Sequence, residues 1–140
     1  MITAILSGGI GSRFWPMSTN KNPKQFIEIY NGNSLFSLTL NRISSLENNK
    51  VLAITNKNYE KFLTKYENVT PLFEPFARNT FGAVLLTVKY LIENKIDDTI
   101  LFLPSDHLIK NTTLFIEDIE NAIKISRSEE HTSELQSHHP

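Results

Sequence analysis

The sequence contains no cysteine, so neither a disulfide nor a thiolate metal site can stabilise this chain. It also lacks an apolar run approaching the roughly eighteen residues that a membrane-spanning helix needs. Neither charge is in excess, because 14 Lys and Arg stand against 15 Asp and Glu, for a formal net charge of -1. This balance provides no broad basic surface for nucleic acid. We therefore expect a soluble, cytoplasmic protein that binds neither nucleic acid nor a membrane.

The 140 residues, 40% of them hydrophobic, suffice for one ordinary core. Short β-rich runs alternate with longer amphipathic stretches, which is typical of βαβ units. We predict strands at Thr3–Ser7, Lys50–Thr55, Val69–Phe73 and Thr99–Leu103. We predict helices at Ser34–Leu46, Asn58–Tyr66, Asn79–Asn94 and Thr113–Ser126. The pattern indicates an α/β, Rossmann-like, doubly wound and mainly parallel sheet with helices on both faces. The continuous apolar run of Ile100 to Leu103 predicts a central strand buried on both faces.

The last fourteen residues, 127–140, depart from this pattern. They carry three of the four histidines and only one large aliphatic residue, Leu135. Such a composition cannot bury a core, although a His-rich tract can also bind metal. The run from Arg127 to His138 is similar to the translation of a sequencing adapter. We therefore expect residues 1–126 to form a partial domain and residues 127–140 to be a non-native or disordered tail.

A glycine-rich segment, Ser7-Gly8-Gly9-Ile10-Gly11-Ser12-Arg13, directly follows the first predicted strand. Glycines there allow a tight turn whose successive N–H groups point at one anion, and Arg13 adds a planar set of donors for phosphate. The spacing fits neither the dinucleotide fingerprint nor the P-loop. Taken alone, this segment is equally compatible with a plain turn.

A second motif, Pro23-Lys24-Gln25-Phe26, follows after a short polar stretch. Proline fixes the backbone before Lys24, so its ammonium can act as a positioned charge, although an isolated lysine is usually a solvated surface residue. Together, the glycine segment with Arg13 and Pro16 and the pair Pro23-Lys24 resemble the signature of sugar-1-phosphate nucleotidyltransferases. That resemblance implies the nucleotide-diphospho-sugar transferase fold.

Further residues resemble the mannose-1-phosphate guanylyltransferase branch of that family. They are Trp15 before Pro16, Gln25-Phe26 after Lys24, and the run from Glu74 to Thr80 after the third strand. A carboxylate at Glu74 can accept both donors of the guanine Watson–Crick edge. Alternatively, Glu74 is a strand-end surface acid, and Asn79 or Thr80 merely caps the next helix. The sequence departs from the branch at Phe81-Gly82, where a small residue and proline are expected, and at Ser7, where alanine is usual.

Asp106 follows the last predicted strand within Pro104-Ser105-Asp106-His107. The carboxyl end of a parallel strand is where such folds bind ligands, and Mg²⁺ binds through one or two carboxylates plus phosphates. A turn or capping aspartate is the plainer interpretation. The resemblance to the family's Pro-x-Asp-His element implies that Asp106 binds Mg²⁺. His107 is more consistent with orienting a neighbour than with ligating the metal.

The resemblance implies that GTP and mannose 1-phosphate react to give GDP-mannose and pyrophosphate, with Arg13 and Lys24 as catalytic residues. The residues that it assigns to the nucleotide are Leu6, Ser7, Gly8, Gly9, Gly11, Ser12, Arg13, Lys24, Glu74, Pro75, Asn79 and Thr80. The family's sugar contacts and second metal aspartate lie further along, so we expect this chain alone not to complete the reaction. A thymidylyl- or uridylyltransferase and a non-catalytic nucleotide-sensing module remain alternatives. The sequence does not indicate the oligomeric state.

Overall fold

The computed structural model describes residues 1–9, 16–19, 21–75 and 79–129. The strands are β1 (Ile2–Leu6), β2 (Glu28–Tyr30), β3 (Asn33–Ser34), β4 (Lys50–Thr55), β5 (Val69–Phe73) and β6 (Ile100–Pro104). The helices are α1 (Leu35–Arg42), α2 (Glu60–Leu63), α3 (Asn79–Glu93) and α4 (Thr112–Glu129), with short 3-10 turns at Lys24–Phe26 and Lys57–Tyr59. Contacts between residues divide the chain into two units, Met1–Leu108 and Ile109–Pro140.

The first unit is built on a parallel sheet with the strand order β5-β4-β1-β6. The predicted mainly parallel α/β sheet is therefore confirmed. The prediction that Thr99–Leu103 forms a central strand buried on both faces is wrong. In the described part of the chain β6 lies at the edge of the sheet, and Leu103 is its only buried residue. An apolar run indicates apolar surroundings but not a position in the sheet, and β1 is central instead, with Ala4 and Ile5 fully buried.

The connections place helices on both faces of this sheet. The chain passes from β1 to β4 to β5 in one direction, and then returns to the other side of β1 as β6. Because parallel crossovers are right-handed, this reversal puts α3 on the face opposite to α1 and α2. Ala83 and Leu91 of α3 accordingly pack with Ala4 and Leu52 of the sheet.

Helix α3 is apolar on its outward face as well as on the face that packs against the sheet. Four large side chains at i, i+4, i+7 and i+11 are exposed, and we call them the α3 stripe: Phe81, Leu85, Val88 and Ile92. A helix that is hydrophobic all round is usually buried. The α3 stripe is therefore unusual for a helix surface that faces water.

The predicted helices 34–46 and 58–66 are shorter in the structure. Helix α1 begins after Ser34, whose hydroxyl accepts from the Ser37 amide at 3.1 Å, and ends at Arg42. It stops early because Ser44 bonds its hydroxyl to the Asn41 carbonyl at 2.8 Å, a local contact that competes with helix continuation. The second stretch divides into a 3-10 turn and the four-residue α2.

Five aromatic rings join α1, α2 and the 3-10 turn of Lys24–Phe26. The ring of Phe26 lies 5.2 Å from those of Phe36 and Phe62, and Phe36 lies 5.1 Å from Tyr66. Tyr59 completes the cluster at 6.4 Å from Phe26. Offset and tilted rings at these separations attract one another, so the turn that carries Lys24 is attached to two helices.

The second unit contains α4, which begins after Asn111. The Asn111 side chain accepts from the Leu114 amide at 3.0 Å, as an N-cap does. The helix continues to Glu129, three residues beyond the predicted end, because Arg127 and Glu129 are favourable helix formers. The proposed boundary between domain and tail at residue 126 stays a prediction. Within the described ranges, no helix is both long and apolar enough to cross a membrane.

Candidate active site

The candidate site lies at the carboxyl ends of the parallel strands. The order of the sheet reverses at β1, which has β4 on one side and β6 on the other. In open parallel sheets, ligands bind in the crevice outside the strand ends at such a reversal. Gly8 follows β1, Glu74 follows β5 and Asp106 follows β6, so three of the predicted residues come to this edge.

The start of the glycine segment is fixed by bonds to neighbouring strands. Ser7 donates its backbone N–H to the Ile54 carbonyl at 2.8 Å and its hydroxyl to the same oxygen at 3.1 Å. Thr55 in turn donates its hydroxyl to the Ser7 carbonyl at 3.1 Å. The serine that replaces the family's usual alanine thus adds a hydrogen bond to β4. Gly11, Ser12 and Arg13 lie outside the described residues, so their predicted roles stay predictions.

Gln25 has a structural role that its place in the family resemblance did not predict. Its side chain is 1% exposed, and its Nε2 donates to the carbonyl oxygens of Ser7 and Gly9, the latter at 3.2 Å. It therefore joins the turn that carries Lys24 to the glycine segment. Its Oε1 is buried and meets no donor among the described residues. Nothing in the local sequence shows that Gln25 is buried while its neighbour Lys24 reaches the surface.

Glu74 lies against the glycine segment. Its backbone N–H donates to the Thr55 carbonyl at 2.8 Å. A Cβ at Gly8 would stand 2.6 Å from Glu74 Oε2, and one at Gly82 would stand 3.7 Å from Oε1. The carboxylate thus lies between the end of β1 and the first turn of α3. Partial burial raises the pKa of this carboxyl above its usual range.

The other residues predicted after β5 lie mainly on the surface. Pro75 and Thr80 are exposed. Asn79 is the first residue of α3, and its side chain is not among those that the structure describes. Phe81 is 71% exposed, whereas Gly82 is the member of this pair that approaches the carboxylate. The side chain of Phe81 therefore lies mainly on the surface.

Lys24 and Asp106 meet directly, although they are far apart in the sequence. Lys24 Nζ forms an ion pair with Asp106 Oδ2, and both side chains remain partly exposed. Pro23, with φ of -70°, precedes the turn that presents Lys24. The hydrogen bond from Lys24 is the main cause of a lowered pKa for the Asp106 carboxyl. Asp106 is therefore held as an anion at this edge of the sheet.

The loop that carries Asp106 is attached to two other elements. Ser105, 4% exposed, donates its amide and its hydroxyl to the Leu6 carbonyl at 3.2 and 2.9 Å. Arg42 of α1 donates from Nη2 to the His107 carbonyl at 2.9 Å. The contact of His107 with α1 is thus made by its backbone. Asp106 lies between these two anchors.

The donor set around Asp106 is compatible with Mg²⁺, provided that a substrate supplies the other ligands. No group of three or more His, Cys, Asp or Glu side chains comes together within the described ranges. Mg²⁺ keeps several waters and uses one or two carboxylates plus substrate phosphates, so it does not need such a cage. One ionised carboxylate near the predicted phosphate-binding segment has the required chemistry.

Comparison with known proteins is consistent with this geometry. The nucleotidyl transferase family model matches residues 2–136. The alginate biosynthesis protein AlgA of Pseudomonas fluorescens is 39% identical over 115 residues, covering 78% of this chain and 24% of that protein. A mannose-1-phosphate guanylyltransferase of Klebsiella pneumoniae is 33% identical over 129 residues, covering 87% of this chain and 27% of the relative. The chain thus spans about a quarter of the length of these curated relatives.

Two solved structures share the fold. The mannose-1-phosphate geranyltransferase of Thermus thermophilus superposes with a TM-score of 0.77 at 30% identity, covering 86% of this chain and 36% of that one. A glucose-1-phosphate thymidylyltransferase, so named provisionally, of Bacillus anthracis gives 0.69 at 18% identity, covering 86% and 51%, and supports the fold alone. Because the nucleotidyl transferase family model matches residues 2–136 of this chain, the chain belongs to the nucleotidyl transferase family.

Proposed function

We propose that this chain forms the nucleotide-binding half of a mannose-1-phosphate guanylyltransferase, which transfers GMP from GTP to mannose 1-phosphate and releases pyrophosphate. The observation that carries the proposal is the pairing of Lys24 with Asp106 beside the glycine segment, at the reversal of the sheet order. A cation for phosphate and an anion for a metal ion stand together where the fold binds ligands. The activities named for the Klebsiella and Thermus relatives support the choice of sugar.

The proposed reaction needs no side-chain nucleophile or base. A phosphate oxygen of mannose 1-phosphate attacks the α-phosphorus of GTP, and the bond from that phosphorus to the β-bridging oxygen breaks. Pyrophosphate leaves with the bonding electron pair, and GDP-mannose remains. Because the attacking oxygen is already ionised near neutral pH, catalysis consists of positioning and charge neutralisation.

The residues of the proposed site have different tasks in this reaction. Lys24 neutralises charge that develops at the α-phosphate, and the backbone of Gly8 and Gly9 contacts the phosphates. Asp106 would hold Mg²⁺, which would supply additional positive charge to the triphosphate. Arg13, carried over from the family resemblance, is assigned to the departing pyrophosphate.

Glu74 provides the proposed preference for guanine. Guanine presents N1–H and an exocyclic amine side by side, and a carboxylate can accept from both. Burial already disfavours the charged form of Glu74. Two donors from a bound base would compensate this carboxylate for the water that it has lost.

Nucleotide binding to the 140-residue chain tests this proposal. In Mg²⁺, GTP should raise the melting temperature more than UTP, dTTP or ATP at equal concentration. Glu74→Gln should reduce that difference, since an amide offers only one acceptor, whereas Glu67→Gln, an exposed acid away from the strand end, should not. Equal stabilisation by UTP or dTTP would indicate a uridylyl- or thymidylyltransferase. Absence of stabilisation by any nucleotide would contradict the proposal.

A further inference from the structure

Arg42 is a buried cation that contacts the loop of the proposed metal ligand. It is the last residue of α1, and its side chain is 6% exposed. Nη2 donates to the His107 carbonyl at 2.9 Å, across 65 positions of sequence. The contact therefore joins α1 to the residue that directly follows Asp106.

Burial of Arg42 is unfavourable for the guanidinium. Desolvation lowers its pKa from the ordinary value, although an arginine remains protonated in proteins. A basic residue in the last turn of a helix is favourable, but an exposed arginine would provide that benefit without losing its hydration. The helix end thus does not account for the burial, and the bond to the His107 carbonyl is one contact that the buried guanidinium makes.

Asp106 has little packing of its own to fix its position. Its side chain is about one third exposed, whereas Ser105 beside it is 4% exposed and bonded twice to Leu6. The loop is consequently held from one side by β1 through Ser105 and from the other by α1 through Arg42. Removing either anchor frees the backbone on one side of the carboxylate.

We propose that Arg42 is a positioning residue, which holds the backbone at His107 so that Asp106 meets a metal ion bound to the nucleotide triphosphate. This inference rests on the proposed function, because it takes Asp106 as the metal ligand. Groups that orient a ligand from behind typically change metal affinity by about ten- to a hundredfold when they are removed. Arg42 acts through one peptide unit, so the lower end of that range is expected.

The test compares Arg42→Met, Arg42→Lys and Asn41→Ala in the full 140-residue chain. Methionine keeps an unbranched apolar stem but donates no hydrogen bond, lysine keeps the charge and a donor, and Asn41 is an exposed neighbour on α1. The stabilisation by GTP is measured against Mg²⁺ concentration, and GTP binding is measured separately in EDTA. Arg42→Met should raise the Mg²⁺ concentration for half-maximal effect about tenfold and leave the EDTA value unchanged. Arg42→Lys should restore part of the loss, and Asn41→Ala should match the unmodified chain.

Amide hydrogen exchange provides a readout that does not depend on metal. Arg42→Met should speed exchange at Ser105, whose amide bonds to Leu6, while amides between β1 and β4 keep their protection. Ser105→Ala, which removes only the hydroxyl bond to Leu6, should raise the Mg²⁺ requirement in the same direction. This variant and Arg42→Lys provide the test if Arg42→Met does not fold.

The outcomes separate the inference from the proposed function. If the unmodified chain shows no Mg²⁺-dependent GTP stabilisation, the proposed function fails, and this inference fails with it. If the unmodified chain responds but Arg42→Met keeps the same Mg²⁺ requirement, the inference alone is overturned. A lower melting temperature with an unchanged Mg²⁺ requirement identifies Arg42 as a residue of the fold only, and likewise overturns it.

Discussion

At the scale of single residues, Lys24 and Asp106 form an ion pair with each other. Each residue would exchange this partner for another one when substrate binds. Their ion pair places the cation where a phosphate is proposed to bind and the anion where a metal ion is proposed to bind. We expect the two charges to satisfy each other until a nucleotide with Mg²⁺ separates them. The pair is partly exposed, so this mutual stabilisation is worth only about 0.2–1 kcal/mol.

Replacing Lys24 should therefore affect metal and nucleotide in opposite directions. In Lys24→Met, Asp106 loses its competing cation, and Mn²⁺ without nucleotide should bind up to about fivefold more tightly. GTP affinity should fall, because a phosphate contact is lost. Electron paramagnetic resonance of free Mn²⁺ measures the first effect and calorimetry measures the second. Lys21→Met, at an exposed position, is the control, and weaker Mn²⁺ binding in Lys24→Met would contradict the exchange.

Gly8 should be intolerant of a methyl group for a reason absent at Gly9. A Cβ at Gly8 would stand 2.6 Å from Glu74 Oε2, whereas one at Gly9 would meet no heavy atom of the described residues within 4 Å. Gly8→Ala should cost about 1–3 kcal/mol of unfolding free energy in urea, and Gly9→Ala should cost less. In a Glu74→Ala background the cost of Gly8→Ala should decrease. Equal costs in both backgrounds would show that the backbone, and not the carboxylate, requires glycine.

The raised pKa of Glu74 predicts a pH dependence of stability. Between the ordinary pKa and the raised one, the folded state binds more protons than the unfolded state, so stability decreases as pH rises through this window. Glu74→Gln should remove that decrease and be more stable than the unmodified chain at neutral pH, with little difference in acid. Urea unfolding from pH 4 to pH 7.5 measures it, with Glu47→Gln as an exposed control. A parallel pH profile for Glu74→Gln would contradict the assignment.

At the scale of secondary-structure elements, the start of α1 depends on one hydroxyl. Ser34 accepts from the Ser37 amide at 3.1 Å, and Ser45 after the helix is exposed. Ser34→Ala should lower the unfolding free energy by about 1 kcal/mol, and Ser45→Ala should change it little. Thermal or urea unfolding of the two variants gives the comparison. An equal effect of both substitutions would exclude the cap as the cause.

The four strands of the parallel sheet were predicted within one residue of their observed bounds, because apolar runs that end in glycine, proline or polar residues mark buried parallel strands clearly, whereas the short antiparallel strands β2 and β3 were not predicted. The ends of α1 and α2 were not predicted, since local side-chain bonds, such as that of Ser44, override the apolar period. Lys24, Glu74 and Asp106 were predicted from a family resemblance. Gln25 and Arg42 were missed, because the partners that bury these polar side chains lie 16 or more positions away.

At the scale of the whole molecule, the α3 stripe should govern the behaviour of the chain in solution. Four exposed large apolar side chains on one helix face form the kind of patch that promotes association. The double variant Leu85→Lys with Ile92→Lys should remain monomeric in sedimentation at concentrations where the unmodified chain associates. Its melting temperature should change little. Lys89→Ala, on the same helix but already exposed and polar, is the control. Unchanged association in the double variant would indicate that another surface is responsible.

The sheet order also determines when the site can form during synthesis. Lys24 and Asp106 are 82 positions apart, and Ser105 bonds to Leu6 across 99 positions. A nascent chain that has released only β1, β4 and β5 from the ribosome already holds the glycine segment and Glu74, but not the acid that pairs with Lys24. Loop closure over such distances is slow compared with local folding. Protection of Lys24 from chemical modification would therefore report that β6 has joined β1, and would date this step of assembly in a translating chain.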